Sequence, residues 1–211
     1  MGGVILLATI KVISFTGHRP KYWGTYDEST PSIVALKDRL WNVIEAAIVH
    51  CETEEFISGM ALGLDTWAAE IVLALQQKYP HIRLVAAVPF VGQENAWPFE
   101  SRSRYNLILA RASRVEVTSS LKTVLGQKAP YDAVRKALLD RNVWMNTQTE
   151  GVIAVYDPAV KSGTAHCVQS ALELGKPVCA IHPSTLKVTR LTKIEEVVGC
   201  NARAELVTEP W

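Results

Sequence analysis

The chain has 211 residues, 48% apolar and 20% charged, with a net charge of +1. Such a length suits one domain that buries roughly 70% of its unfolded surface, so no disulfide or metal staple is required. The balanced charge excludes the molecule as a whole from being an electrostatic trap for nucleic acid.

The opening run MGGVILLATIKVISF is apolar but carries no basic leader, is interrupted by Lys11 and is too short to span a bilayer. Its β-branched content suits a buried strand. No other apolar run approaches 18 residues, so a cytoplasmic protein without membrane partners is expected. Lys11–Thr16 reads as the first strand. A helix follows over Ser32–His50, started by Pro31, with Ile33, Leu36, Leu40, Val43 and Ala47 at helical spacing. Glu55–Ser58 reads as a second strand and Gly63–Tyr79 as a helix with Leu64, Trp67, Ala68, Ile71 and Leu75 on one face. Arg83–Pro89 has the composition of a fully buried strand. Phe99–Arg111 reads as a helix, Arg114–Thr118 as a strand and Ser119–Pro130 as a surface loop.

Tyr131–Asn146 reads as a helix, Gly151–Tyr156 as a central strand, Gly163–Gly175 as a helix and Pro177–Ile181 as the last core strand. Beyond Pro183 the pattern weakens into a polar tail. Short apolar runs alternating with amphipathic stretches are the mark of βα units. The expectation is therefore one Rossmann-like α/β domain over 1–211, with its core at about 11–183 and a tail at 184–211. About six strands form a parallel sheet with helices on both faces.

Cys51, Cys167, Cys179 and Cys200 are scattered without a CxxC pair, so they read as reduced thiols, neither zinc ligands nor a disulfide framework. No His or carboxylate spacing suggests a metal, and no cofactor is expected.

In an open parallel sheet, ligands bind beyond the carboxyl ends of the strands. After the first strand stand Gly17, His18 and Arg19. Gly17 lets the backbone approach a ligand, Arg19 can grip a phosphate with paired N–H groups, and His18 can donate or accept a proton. The same residues also read as a Gly-Pro turn with solvated side chains. After the second strand, Ser58, Gly59, Gly63 and Asp65 form a tight turn into a helix, whose open amides would attract an anion. Asp65 either caps that helix or binds a ribose hydroxyl or base edge. The turn matches neither the dinucleotide fingerprint nor a P-loop.

After the third strand stand Pro89, Phe90 and Gln93. Phe90 could stack on a base while Gln93 bonds its edge, or both could be lid or packing residues. After the fifth strand come Asp157, then Lys161 and Ser162, Gly163 and Thr164 at a helix start, read either as a phosphate cradle or as a plain N-cap. Arg141 and Asn142 either reach the site or lie on a solvated helix face.

The pieces TGHRP at 16–20, SGMALGLDTWAAE at 58–70, PF-x-x-QE at 89–94, RN-x-W-M at 141–145, AVYDP at 154–158 and SGT at 162–164 resemble the YpsA-like branch of the SLOG superfamily. This Rossmann-like group joins the lonely-guy (LOG) phosphoribohydrolases with DNA-processing protein A. The resemblance covers most of residues 11–183. It implies a pocket for a nucleotide-derived small molecule and assembly as a homodimer or higher homo-oligomer. LOG enzymes cut the N-glycosidic bond of a nucleoside monophosphate with a PGGxGTxxE motif. Here Gly163-Thr164 stand where its Gly-Thr pair would, but Cys167 takes the place of the catalytic glutamate. A thiol cannot act as that carboxylate, although Asp65, Asp157 or Glu94 could supply one.

The expected function is thus binding of a nucleotide or derivative, for sensing or sequestration. LOG-like N-glycosidase activity is the alternative, which leaves open whether the protein is an enzyme. A third reading, single-stranded DNA binding, would rest on Arg102, Arg104, Arg111 and Arg114, which equally read as a solvated helix edge.

Overall fold

The computed structural model describes residues 9–124 and 129–192. Six strands run parallel: β1 (Val12–Gly17), β2 (Glu55–Ser58), β3 (Arg83–Val88), β4 (Arg114–Val117), β5 (Gly151–Val155) and β6 (Val178–Ile181). A seventh, β7 (Val188–Leu191), pairs antiparallel with β6. The sheet order is β4-β3-β2-β1-β5-β6-β7. The chain therefore builds outward from β1 to β4, then returns to the other side of β1 to lay down β5. The β1/β5 junction is the topological switch point, where a crevice opens in folds of this type.

Six helices are described: α1 (Pro20–Trp23), α2 (Pro31–His50), α3 (Leu64–Leu75), α4 (Phe99–Arg111), α5 (Tyr131–Gln148) and α6 (Gly163–Glu173). Alternation along the strands sends successive side chains to opposite faces. Ile13, Phe15 and Phe56 point to one side and pack in one cluster with residues of α2, α3 and α4, among them Leu40, Val72 and Ile108. On the other face, Val152, Ala154 and Val178 pack with Val168 and Ala171 of α6, and Ile57 and Val85 with Met145 of α5. Both faces are covered, which is why the central strands read as nearly continuous apolar runs. Fully buried side chains such as Phe56, Leu40 and Ile153 each contribute on the order of 1.5–3 kcal/mol.

The expected parallel sheet of about six strands is present, and a seventh, antiparallel strand joins it among the described residues. β7 lies within the stretch read as tail, because its half-buried residues pair with β6 through a turn at His182–Lys187 rather than forming an apolar run. The third helix starts at Leu64, not Gly63: Gly63 has φ 91° and ψ −126°, a conformation closed to other residues and outside the helix. It stops at Leu75, and the chain to Tyr79 continues in tight turns, such as Lys78 N–H to Leu75 O. The short helix α1 was not expected. The loop read over Ser119–Pro130 is tied to the segment after β3 through an isolated bridge from Lys122 to Val91. Residues 125–128 of that loop, the opening run at 1–8, and the tail at 193–211 with Cys200 lie outside the described residues. Among the described residues, no helix is long and apolar enough to cross a membrane.

Candidate functional site

A cleft of about 290 Å³ opens at the switch point, beyond the ends of β1 and β5. Gly17, His18, Arg19, Asp65, Ser162, Gly163 and Thr164 all line it. Three chain segments remote in sequence thus meet at one place. Gly17 is the residue that lets them meet: a Cβ there would fall inside the side chain of Leu64 at the start of α3.

Ser162 is the N-cap of α6, its hydroxyl accepting a hydrogen bond from the Ala165 N–H at 3.2 Å. The capping expectation for Ser162 therefore holds. The first-turn amides of Gly163 and Thr164 remain without an intrahelical acceptor, as at any helix start, and both residues line the cleft. Arg19 is exposed and lines the cleft; its guanidinium makes no hydrogen bond or ion pair among the described residues, although its charge is felt by Asp65. The cleft floor adds the hydroxyls of Ser14 and Thr164, both buried and without a hydrogen-bond partner among the described residues.

In the turn between β2 and α3, two amides expected to be open to an anion are taken by the protein: Met60 N–H donates to Ser58 Oγ at 3.1 Å, and Ala61 N–H to Asp65 Oδ2 at 3.2 Å. Ser58 Oγ in turn donates to the Asp65 carbonyl at 2.8 Å. Asp65 is therefore neither an N-cap nor a bystander. It closes its own turn and presents a buried carboxylate to the cleft, 3.6 Å from Arg141 Nη1. Burial pushes the Asp65 carboxyl above the usual range, against the opposing pull of Arg141 and the Ala61 N–H. Ser58 and Gly59 lie beneath the cleft and do not line it. A Cβ on Gly59 would overlap the Arg141 guanidinium, whose Nη1 donates to the Gly59 carbonyl. Gly63 faces a neighbouring depression instead.

Of the two readings of Arg141 and Asn142, the structure selects the site. Arg141 is only 6% exposed, projects from α5 across the end of β2, and lines the cleft with Asn142 and Asn146. Ser14, Thr16, Asn146 and Cys167 were not singled out as binding residues, since hydroxyls and thiols inside regular elements carry no local signal. Cys167 sits on the cleft wall with its thiol pushed up by burial, and it is neutral near pH 7.

His18 is buried and stacks on Tyr22, ring centres 4.0 Å apart. Its Nε2 accepts the Asp157 N–H at 3.1 Å, and burial lowers its pKa, so the ring is neutral with its proton on Nδ1. Asp157 itself does not line the cleft, contrary to expectation. Its Oδ1 accepts the Ala159 N–H at 2.9 Å and Oδ2 faces Tyr22 Oη at 3.5 Å, so it holds together the loops after β1 and β5. Lys161 is exposed and away from the cleft.

Phe90 and Gln93 line a second lobe of about 350 Å³ with Trp97, Tyr26 and Leu138. Arg19, Ala61 and Leu62 line both lobes, which therefore adjoin. Pro89 lines neither lobe. Among the described residues no group of three or more His, Cys, Asp or Glu could hold a metal ion. Two of the four arginines considered for DNA are paired with carboxylates: Arg104 with Glu28 and Glu70, and Arg114 with Glu55 and Glu116.

A sequence model of the YspA SLOG family (YpsA) matches residues 13–183. The chain is 34% identical over 157 residues to the uncharacterized SPbeta prophage-derived protein YoqJ of Bacillus subtilis (strain 168), covering 72% of this chain and 91% of that protein. It is 29% identical over 162 residues to a UPF0398 protein of Bacillus pumilus (strain SAFR-032), covering 77% and 82%. A UPF0398 protein of Bacillus thuringiensis (strain Al Hakam) is 28% identical over 167 residues, covering 79% and 85%.

Proposed function

The chain belongs to the YspA SLOG family, and on that premise we propose that its switch-point cleft binds the phosphorylated ribose of a nucleotide or nucleotide derivative, to sense or sequester it. One observation carries this reading. The unpaired guanidinium of Arg19 and the open amides of Gly163 and Thr164 line a single cleft at the start of α6. A helix start and a free arginine are complementary to phosphate in both charge and hydrogen-bond direction. Beside them, the amides of Asn142 and Asn146 and the Ser14 hydroxyl offer partners of the kind a ribose requires. Cys167, a neutral thiol at the position where LOG enzymes carry glutamate, supports binding without turnover.

Titration of the purified protein with AMP, ADP and ribose 5-phosphate, read by thermal shift, tests this. Stabilisation that Arg19→Ala weakens about tenfold or more is expected. Unchanged melting with every phosphorylated ligand would count decisively against the reading.

Asp65 favours a second reading, a nucleotide N-glycosidase of LOG type. It is the single carboxylate lining the cleft among the described residues, and a raised pKa suits a general acid that protonates a departing base. Free base appearing from AMP over hours would establish it. Intact AMP alongside demonstrated binding would remove it.

A further inference from the structure

We propose that the second lobe is the base subsite of the same ligand, and that it selects a nucleobase bearing an exocyclic amino group through the side-chain oxygen of Gln93. The proposal rests on the nucleotide reading of the switch-point cleft and adds to it the chemistry of the base.

The two lobes differ in character. The switch-point lobe sets hydroxyls, amides and charges beside Phe15, Met145 and Val152, whereas the second is walled mainly by Phe90, Trp97, Leu138, Val134 and the exposed ring of Tyr26, with Arg19 and Lys21 as its charged members. Flat apolar rings suit an aromatic base, and phosphate and ribose suit the polar side. Either lobe alone lies near the lower limit of the roughly 300–1,000 Å³ typical of small-molecule sites. Arg19, shared by both, stands at the saddle a nucleotide would cross.

Gln93 begins the short 3₁₀ helix Gln93–Ala96 and is only 9% exposed. Its Nε2 donates to the Met60 carbonyl at 3.2 Å and to Tyr105 Oη at 3.2 Å. A carbonyl can only accept, so the amide cannot be turned over: the nitrogen must face Met60. Both N–H groups are thereby used within the protein. Oε1 has no donor among the described residues, yet it is not one of the unpartnered atoms sealed from solvent. A buried side chain with fixed orientation thus leaves one acceptor and no donor to a ligand in the lobe it lines. An acceptor of this kind recognises N–H₂, as on adenine N6 or cytosine N4, and leaves a carbonyl at that position facing another lone pair.

The test measures affinity of the full chain, by calorimetry, for AMP and CMP, each against the analogue lacking only the amino group (purine riboside 5′-monophosphate and its pyrimidinone counterpart). The proposal expects at least one amino-bearing nucleotide to bind about tenfold more tightly than its analogue. Leu138→Trp, which fills the second lobe from α5 without touching the first, should reduce that affinity to the level of ribose 5-phosphate. Equal affinity within both pairs, or AMP and CMP binding undiminished in Leu138→Trp, would overturn the base subsite while leaving the nucleotide reading intact. No binding by any nucleotide or by ribose 5-phosphate would instead overturn the underlying reading and this proposal with it. If the variant does not fold, the two ligand pairs on the wild-type protein still decide.

Discussion

Asp65 and Gly17 show how single residues set the character of the cleft. Asp65 partly fills the β2–α3 turn from within, because its carboxylate accepts the Ala61 N–H and so sets a negative group where an anion would otherwise approach. Its charge is set against Arg141, so the pair leaves Arg19 as the cation free for an anion. Gly17 acts by having no side chain. Gly17→Ala would drive a methyl into Leu64 and force β1 and α3 apart. We expect a loss of about 1–3 kcal/mol in chemical denaturation, together with weakened ligand binding, because the loop that carries His18 and Arg19 moves with it. A variant as stable as the wild type would show that this close approach is easily relaxed.

At the scale of elements, α6 supplies the most legible part of the site. Ser162-Gly163-Thr164 combines an N-cap hydroxyl with small residues before an amphipathic run, and the helix starts where that pattern places it. Ser162→Ala removes the bond to Ala165 N–H and should cost about 1 kcal/mol, measurable by urea denaturation. It leaves the Gly163 and Thr164 amides in place, so ligand affinity should fall far less than for Arg19→Ala. A comparable fall would make the Ser162 hydroxyl a ligand contact rather than a cap. The β2–α3 turn was legible as a turn but not as a partly filled one. Its two glycines predict backbone freedom, yet the Ala61 amide is taken by Asp65 folding back, and the Gly59 carbonyl by Arg141 arriving from α5, 76 residues beyond Asp65. Gln93 is a similar case: its local motif suggested either a base contact or a lid or packing role, and only the positions of Met60 and Tyr105 determine which end of its amide is bonded within the protein.

Across the whole molecule, Arg104 of α4 joins α3 to the loop before α2 through Glu70 and Glu28, and Lys37 of α2 reaches the same Glu28. Burial alone would push the Glu28 carboxyl up, but Arg104 and Lys37 outweigh it and hold the pKa down to about 2. A carboxylate whose folded pKa is depressed stabilises the fold above its ordinary pKa of 4.5 and loses that contribution as pH falls toward 2. Glu28→Gln should therefore lower the melting temperature near pH 7, and the gap from the wild type should close progressively below about pH 4.5. A gap of constant size down to pH 2 would show that the charge of Glu28 is not what matters. The network also takes Arg104 out of the basic edge that the sequence suggested, through carboxylates that lie elsewhere in the chain.

The sequence by itself determined the parallel α/β architecture, since period-two and helical apolar spacing are local properties that each segment carries alone. It determined too that the glycine-marked turns after β1 and β5 belong at the carboxyl edge of the sheet, because strand ends followed by small and hydroxylated residues lead directly into helix starts. Only the tertiary structure decided which turns stay open and which are closed by the protein's own side chains, and that Arg141 and Cys167 reach the cleft while Asp157 does not. It alone separated the site into a polar and an aromatic lobe. The physical reason is that hydrogen-bond satisfaction and burial are settled between segments distant in the chain, and no local pattern records which partner arrives first.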